Sequence, residues 1–362
     1  MRANRLQVLL LVGVVLVAIV TISAFSQNGK KVGPCTATGS GATSVSLLSA
    51  SDAGDSTAIQ KAIDQATASG GGIVQLSVGE FQINQPLVLR ANVALKGSGP
   101  GTVLKATSRF LKAKGPLGGH PLITTNGSQN VTIADLTADQ SGDVIDGNVS
   151  GRLKEYLVDV RNSTNAVVEG VATKNPFTYS IAVVGSSNFC VHNNSTVVAT
   201  SGKYDQLDGI HITDSYSGLV VGNHVDQRQG EDGDDGLVAQ TIGGTVHDVA
   251  YLENDVRGGS HGAAMQLAVA GSEIYNITIA NNRFWGSPSG IRTGYYGGAS
   301  KAVHDVTVKG NIFVDLEGAS TDLSGQLENI QVTDNRFCRS GDFNVAAGPN
   351  NQIRGNVTSC EP

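Results

Sequence analysis

Charge and aromatic side chains are scarce in this chain. Only 15% of its 362 residues are charged, 5% are aromatic, and there is a single Trp. The formal net charge is −6, and it falls to −8 once Arg2 and Arg5 of the basic N-terminus are set aside. An acidic chain of this kind is excluded as a protein whose main partner is nucleic acid. There are only four cysteines (Cys35, Cys190, Cys338 and Cys360), with no CxxC pair and no Cys/His spacing of the kind that holds zinc. No cysteine stands where a lipoprotein leader would need one. Apolar residues still make up 40%, enough for a core, so the composition is not that of a disordered chain.

What is present begins with a leader. "MRANR" is basic, Leu6 to Ile22 carries no charge, and Ala24 and Ser26 fit a small-x-small cleavage site. Residues 1–26 are read as a secretory signal, with an uncleaved membrane anchor as the alternative. Residues 27–50 are read as a linker or N-terminal extension, and 51–362 as one domain. The domain is expected outside the cytoplasm, secreted or at the cell surface, touching a membrane only through that anchor. Four cysteines in an exported chain permit two disulfides. Cys338–Cys360 is the favoured pair, and Cys35 with Cys190 is left open.

A repeat organises the domain. "NVTIADLTAD" from Asn130, "NAVVEGVATKN" from Asn165, "DVAYLENDVRG" from Asp248, "NITIANNRFWG" from Asn276, "DVTVKGNIFVD" from Asp305 and "NIQVTDNRFCR" from Asn329 share one pattern. Each starts with Asn or Asp, alternates apolar residues, turns at Asn or Gly, and resumes with an apolar pair. Ten such segments follow one another at steps of 22 to 38 residues. They lack the three-and-four apolar spacing of helical repeats, and most steps are too short for propeller blades. One such segment cannot bury its apolar face alone, but a stack of them makes a continuous core. The fold predicted is all-β: a single-stranded right-handed parallel β-helix of about ten coils. Ahead of it, "DSTAIQKAIDQATASGGG" places Ala58, Ile59, Ala62, Ile63 and Ala66 on one helical face, after a capping residue at Asp55 or Ser56. That helix is expected to cap the solenoid. With "NVALKGSGPGTVLKA" the segment resembles the N-terminus of pectate-lyase-like β-helix proteins. Asn254, Asn282 and Asn311 recur at the turns and are expected to satisfy backbone groups there.

The chemistry is carried by "EDGDDGLVAQ", residues 231–240, where Glu231, Asp232, Asp234 and Asp235 crowd together. Like charges this close repel one another. Three readings stand open: a catalytic acid pair, a calcium site, or a solvated turn. Other polar groups recur one coil apart: Asp208 and His211 in "DQLDGIHIT", Asp234 and Asp235 in "GDDGLVAQT", His261 and Gln266 in "GGSHGAAMQLA", and Arg292, Tyr295 and Tyr296 in "SGIRTGYYGG". Neighbouring coils lie roughly 4.8 Å apart, so these residues are expected to meet in one groove. Glu231 and Asp232 are read as loop residues.

This order resembles the polygalacturonase, or pectinase, family of glycoside hydrolases, which carries Asn-Thr-Asp, Asp-Asp, Gly-His-Gly and Arg-x-Lys on successive coils. Asp208 matches the first Asp, Asp234 and Asp235 the pair, His261 the His, and Arg292 the Arg. The likeness covers about residues 160–320. The departures are Gln206-Leu207 before the first Asp, Gly236 after the pair, Ser260 before His261, and Gly294 where the family has its Lys. The acid machinery is thus kept better than the carboxylate grip, which puts polygalacturonic acid itself in doubt as substrate. The chemistry fits independently, since glycoside hydrolysis uses one protonated and one ionised carboxyl. Asp235 is assigned as general acid, Asp208 with Asp234 as activators of water, and His261 as a hydrogen-bond partner of the acid. Arg292, His211, Tyr295, Tyr296 and Gln266 are assigned to the sugar. An inverting gap of roughly 6.5–9.5 Å is expected between the acids.

The function expected is an extracellular polysaccharide hydrolase with no cofactor and no metal. The alternatives are a lyase or epimerase using calcium at 231–235, and a non-catalytic carbohydrate-binding solenoid. The partner is a polysaccharide or oligosaccharide in each case, and no oligomeric state follows.

Overall fold

The computed structural model describes residues 26–27, 30–31, 35, 45–49, 56–111, 120–144, 155–201 and 206–360. Residues 1–25 of the leader read at 1–26, and the capping candidate Asp55, lie outside them. Among the described residues no helix is long and apolar enough to cross a membrane.

The described chain winds into a right-handed parallel β-helix. Three parallel sheets of 12, 11 and 10 strands run its length, and each strand pairs with the equivalent strand of the next coil. Val45–Leu48, inside the stretch read as a linker, already pairs with Gly72–Leu76 as the first strand of the 12-stranded sheet. The capping helix spans Ser56–Ala68 and buries Ile59, Ala62, Ile63 and Ala66, the face expected from its spacing. One continuous apolar core fills the solenoid from Ile59 to Val332.

The repeat signature has a backbone cause. Asn92, Asn130, Asn165, Asn188, Asp248, Asn276, Asp305 and Asn329 all hold φ between 52° and 62°. Asn and Asp enter this left-handed region more readily than other non-glycine residues. The Asn that opens each repeat is therefore a conformational requirement. The turn asparagines form a ladder longer than expected: Asn194, Asn223, Asn254, Asn282, Asn311 and Asn335, all buried, and the half-buried Asn356 at its end. Asn254 Nδ2 donates to Val220 O and Asn282 Oδ1, each at 2.9 Å, while its Oδ1 accepts from Asn223 N at 3.0 Å. Each rung passes the same bonds to the next. Both disulfides form, Cys338–Cys360 as favoured and Cys35–Cys190 as the pairing left open.

Candidate active site

The site lies on the outward face of the 10-stranded sheet. Four consecutive strands build its floor: Ile210–Thr213, Leu237–Thr241, Met265–Val269 and Ile291–Tyr295. Their first residues, Ile210, Leu237, Met265 and Ile291, pair in register and face the core. Alternation along a strand then sends the next residues outward, which aligns His211, Val238, Gln266 and Arg292 in one column. A second outward column holds Thr213, Gln240, Ala268 and Gly294.

Asp208 and Asp235 each stand two residues before their strand, so they too are neighbours on adjacent rungs. Asp235 N donates to Asp208 Oδ1 at 3.1 Å. Asp235 Oδ1 accepts from Ala263 N at 2.6 Å and from Arg292 Nη2 at 3.0 Å. Both carboxyls are only 4% exposed, whereas Asp234 is half-buried at the groove. One oxygen from each of the three lies within 4.8 Å of the others. Adjacent rungs impose this short pitch on the nearest oxygens.

The turns that carry these acids stack without clearance. A Cβ on Gly233 would lie 1.6 Å from Gln227 O, one on Gly259 would lie 2.0 Å from the Gly233 backbone, and one on Gly262 would lie 2.3 Å from Asp234 C. Ser260 Oγ donates to Glu231 O at 2.6 Å and ties the two turns together. In "EDGDDG", then, the glycine brings coils together, Glu231 is exposed, and Asp235 points into the site. Asp232 lies in the loop, as read, and is buried there at 2% exposure.

Burial dominates the electrostatics. It pushes the carboxyl of Asp208 up to about 7, against the backbone bond from Asp235 and the Arg292 charge. Burial, then the charge of Asp208, pushes Asp235 up to about 7, against Arg292 and Ala263 N. Two such groups share their protons as a pair. Burial also lowers His211 to about 4, so its ring is neutral near pH 7. His211 Nδ1 shares a hydrogen bond of 2.7 Å with Asp208 Oδ2, which is therefore no ion pair at neutral pH. A neutral ring has one N–H: when Nε2–H donates to Gln240 Oε1 at 3.0 Å, Nδ1 accepts from protonated Asp208, and when Asp208 is ionised Nδ1–H donates to it instead.

These contacts redistribute the expected roles. His211, assigned to the sugar, is 2% exposed with both ring nitrogens engaged, so it holds Asp208 in place. His261, expected on the acid, is exposed, and its backbone N donates to Gly233 O at 3.1 Å. Tyr295 alternates inward and packs against the core. Tyr296 stays in the groove, 45% exposed, with its hydroxyl 3.1 Å from Gln266 Oε1. In the amide orientation that satisfies both ends of Gln266, its nitrogen donates to Asp235 Oδ2 at 3.3 Å and its oxygen accepts from Arg292 Nε at 2.9 Å. Asp208, Asp234, Asp235, Gln266, Arg292 and Tyr296 are thus brought together.

Three residues were missed. Tyr179 stacks on His211 at 4.0 Å and Tyr156 on Tyr179 at 4.8 Å, forming an aromatic wall beside Asp208. Gln240 closes the far side of His211. Tyr156 and Tyr179 each precede their strand by two residues, as Asp208 and Asp235 do. That shared offset was the signal.

The three acids are close enough to one another to be tested against calcium, which takes six to eight oxygen ligands. Both oxygens of Asp208 already accept or share hydrogen bonds, and the Arg292 guanidinium holds Asp235 Oδ1. The Arg292 guanidinium on Asp235 and the bonds already made by Asp208 leave this cluster short of the free oxygens a divalent cation takes.

A family model described as Rhamnogalacturonase A/epimerase, pectate lyase-like, matches residues 49–311. The mannuronan C5-epimerase AlgE5 of Azotobacter vinelandii is 27% identical over 270 residues, 70% of this chain and 25% of that protein. Alginate lyase 7 of Azotobacter vinelandii is 28% identical over 193 residues, 49% of this chain and 21% of that protein. The chain spans a quarter or less of the length of these relatives. The solved structure of a polygalacturonase from Erwinia carotovora ssp. carotovora superposes with a TM-score of 0.61 at 17% identity, covering 90% of this chain and 99% of that one. At that identity the likeness concerns the fold.

Proposed function

The chain belongs to the rhamnogalacturonase A/epimerase, pectate lyase-like family, and from that premise we propose that it is an extracytoplasmic glycoside hydrolase acting on a polysaccharide without a metal. One observation carries the reading: Asp208 and Asp235 face each other on adjacent rungs, both buried and both raised to about 7. Near neutral pH such a pair keeps one proton and one charge, the complement that glycoside hydrolysis needs. Asp235 gives its proton to the glycosidic oxygen as the bond to the anomeric carbon breaks. Ionised Asp208, with Asp234, takes a proton from the water that attacks that carbon. Arg292 and Gln266 orient Asp235, and His211 with Gln240 orients Asp208. The aromatic wall of Tyr156 and Tyr179 keeps water from Asp208 on one side.

A second reading is a uronate lyase or epimerase, and the names of the two curated relatives favour it. It needs a base beside the sugar. Against it, His211 is buried with both nitrogens engaged.

Product analysis on a panel of neutral and uronate polysaccharides, with and without a chelator, separates them. Hydrolysis gives new reducing ends without unsaturated-uronate absorbance, unchanged by chelator and lost in Asp235→Asn. Unsaturated ends, or epimerised residues without chain cleavage, would replace the hydrolase with the second reading.

A further inference from the structure

The rung that follows the acids carries an aromatic platform where a second cation would be needed to hold an anionic sugar. Gly294 occupies an outward position on Ile291–Tyr295, in register with Ala268 and Gln240. A Cβ there would lie 2.9 Å from Cε2 of Tyr296, 3.0 Å from its hydroxyl oxygen and 3.2 Å from its Cζ. These three atoms are the hydroxyl end of the Tyr296 side chain, so that end of the ring packs over Gly294. The small residues Ala268 and Gly294 are what leave room for it. The ring is 45% exposed, so much of its surface is open to the groove.

The charges on the same rungs point one way. Arg292 stands on this part of the floor, and its Nη2 is bonded to Asp235 at 3.0 Å. The residue in register with Arg292 on the next rung is Asp322, an exposed carboxylate. A uronate carboxylate arriving beside Tyr296 would meet Asp322, with Nη2 of Arg292 already engaged by Asp235. An uncharged pyranose would instead lay its C–H face on the ring and turn its hydroxyls to Gln266 and the Tyr296 hydroxyl.

We propose that Tyr296, lying over Gly294, forms a sugar subsite selective for a neutral residue, so that the substrate carries an uncharged sugar on the Arg292 side of the acids. Tyr296 stands two rungs from the strand that Asp235 leads into, roughly 10 Å at the rung spacing. It therefore reads a sugar next to the reacting one. This rests on the hydrolase reading only in taking this face as the substrate groove.

Binding to the Asp208→Asn variant tests it, because that substitution leaves the Arg292–Asp235 pair in place. The probes are neutral gluco-, manno- and galactohexaoses, and hexamers of galacturonate and mannuronate, titrated by calorimetry. At least one neutral hexaose is expected to bind more tightly than both uronates. Adding Tyr296→Ala should weaken it about fivefold to tenfold, while Tyr296→Phe keeps most of the affinity. Gly294→Lys, which displaces the ring and adds a cation, should shift the preference towards the uronates. Tighter uronate binding that ignores Tyr296→Ala, or no binding of any hexamer, would overturn the proposal. Neutral binding by a wild type that hydrolyses nothing keeps this subsite and removes the hydrolase. Hydrolysis of a uronate polymer with Tyr296→Ala unchanged does the reverse.

Discussion

The buried acid pair should make the protein less stable as pH rises, and one substitution should reverse that. Asp208 and Asp235 sit at about 7 when folded, against an ordinary value of 3.8 in an open chain. Between these limits the folded chain holds protons that the unfolded chain has released. Stability therefore falls with rising pH across that window. The contribution is fully present below about pH 4 and lost by about pH 7. The gap is about three pH units, and at ~1.4 kcal/mol for each, one proton is worth about 4 kcal/mol. The charge of Asp208 is part of what raises Asp235, so neutralising one carboxyl relieves the other. Asp208→Asn keeps an oxygen for Asp235 N and leaves Arg292 on Asp235. It should match the wild type at pH 4 and exceed it by up to about 4 kcal/mol at pH 8. Guanidinium unfolding followed by circular dichroism at pH 4, 6 and 8 measures this, with the difference between the two proteins as the readout. Acids outside the pair titrate alike in both, so their effects cancel. Parallel stability curves would refute the raised pair and, with it, the shared-proton chemistry.

Three other outcomes follow from the same contacts. Asn254→Ala leaves Asn223 N and Val220 O without their side-chain partner, and should cost about 2–4 kcal/mol in denaturant unfolding. Cys35→Ser opens a link across 155 residues and Cys338→Ser one across 22. By loop entropy these contribute about 5 and about 3 kcal/mol, so the first should lower the unfolding midpoint more. Gly259→Ala drives a Cβ into the Gly233 backbone, and should cut turnover about a hundredfold through misplaced acids while the far-ultraviolet spectrum stays β-rich.

The fold was legible because its signature is a backbone constraint repeated at every coil. Asn130, Asn165, Asn276 and Asn329 mark left-handed positions, and few residue types accept them, so the repeat survives variation in everything between. The acids were legible because three carboxylates on adjacent coils stand out in a chain with little charge. The partners were harder. His211 was assigned to the sugar and His261 to the acid, yet the structure puts His211 on Asp208 and leaves His261 exposed. Both precede or begin strands of one sheet, but strand register decides which ring meets a carboxyl. Register depends on loops of unequal length, and steps from 22 to 38 residues hide it. Tyr179 was missed for the same reason, since "FTYSIAVV" looks like ordinary core until its offset is counted from Ile181.

The placement of strain in this molecule argues for a working groove over a decayed one. A solenoid has no structural need for acids here: the column two residues before each strand runs Tyr156, Tyr179, Asp208, Asp235, Ala263 and Ser289, and four of the six are uncharged. Burying two carboxyls on adjacent rungs costs stability at neutral pH, and the asparagine ladder and two disulfides offset such costs elsewhere without touching them. A stability-neutral drift would replace either acid with an uncharged residue, such as the Tyr, Ala and Ser of the other four rungs. Instead each acid is held by dedicated partners: Asp208 by His211 and Gln240, Asp235 by Arg292 and Gln266. Side chains from four strands converge to hold two groups in a state the fold itself disfavours, which is the arrangement expected where chemistry is done.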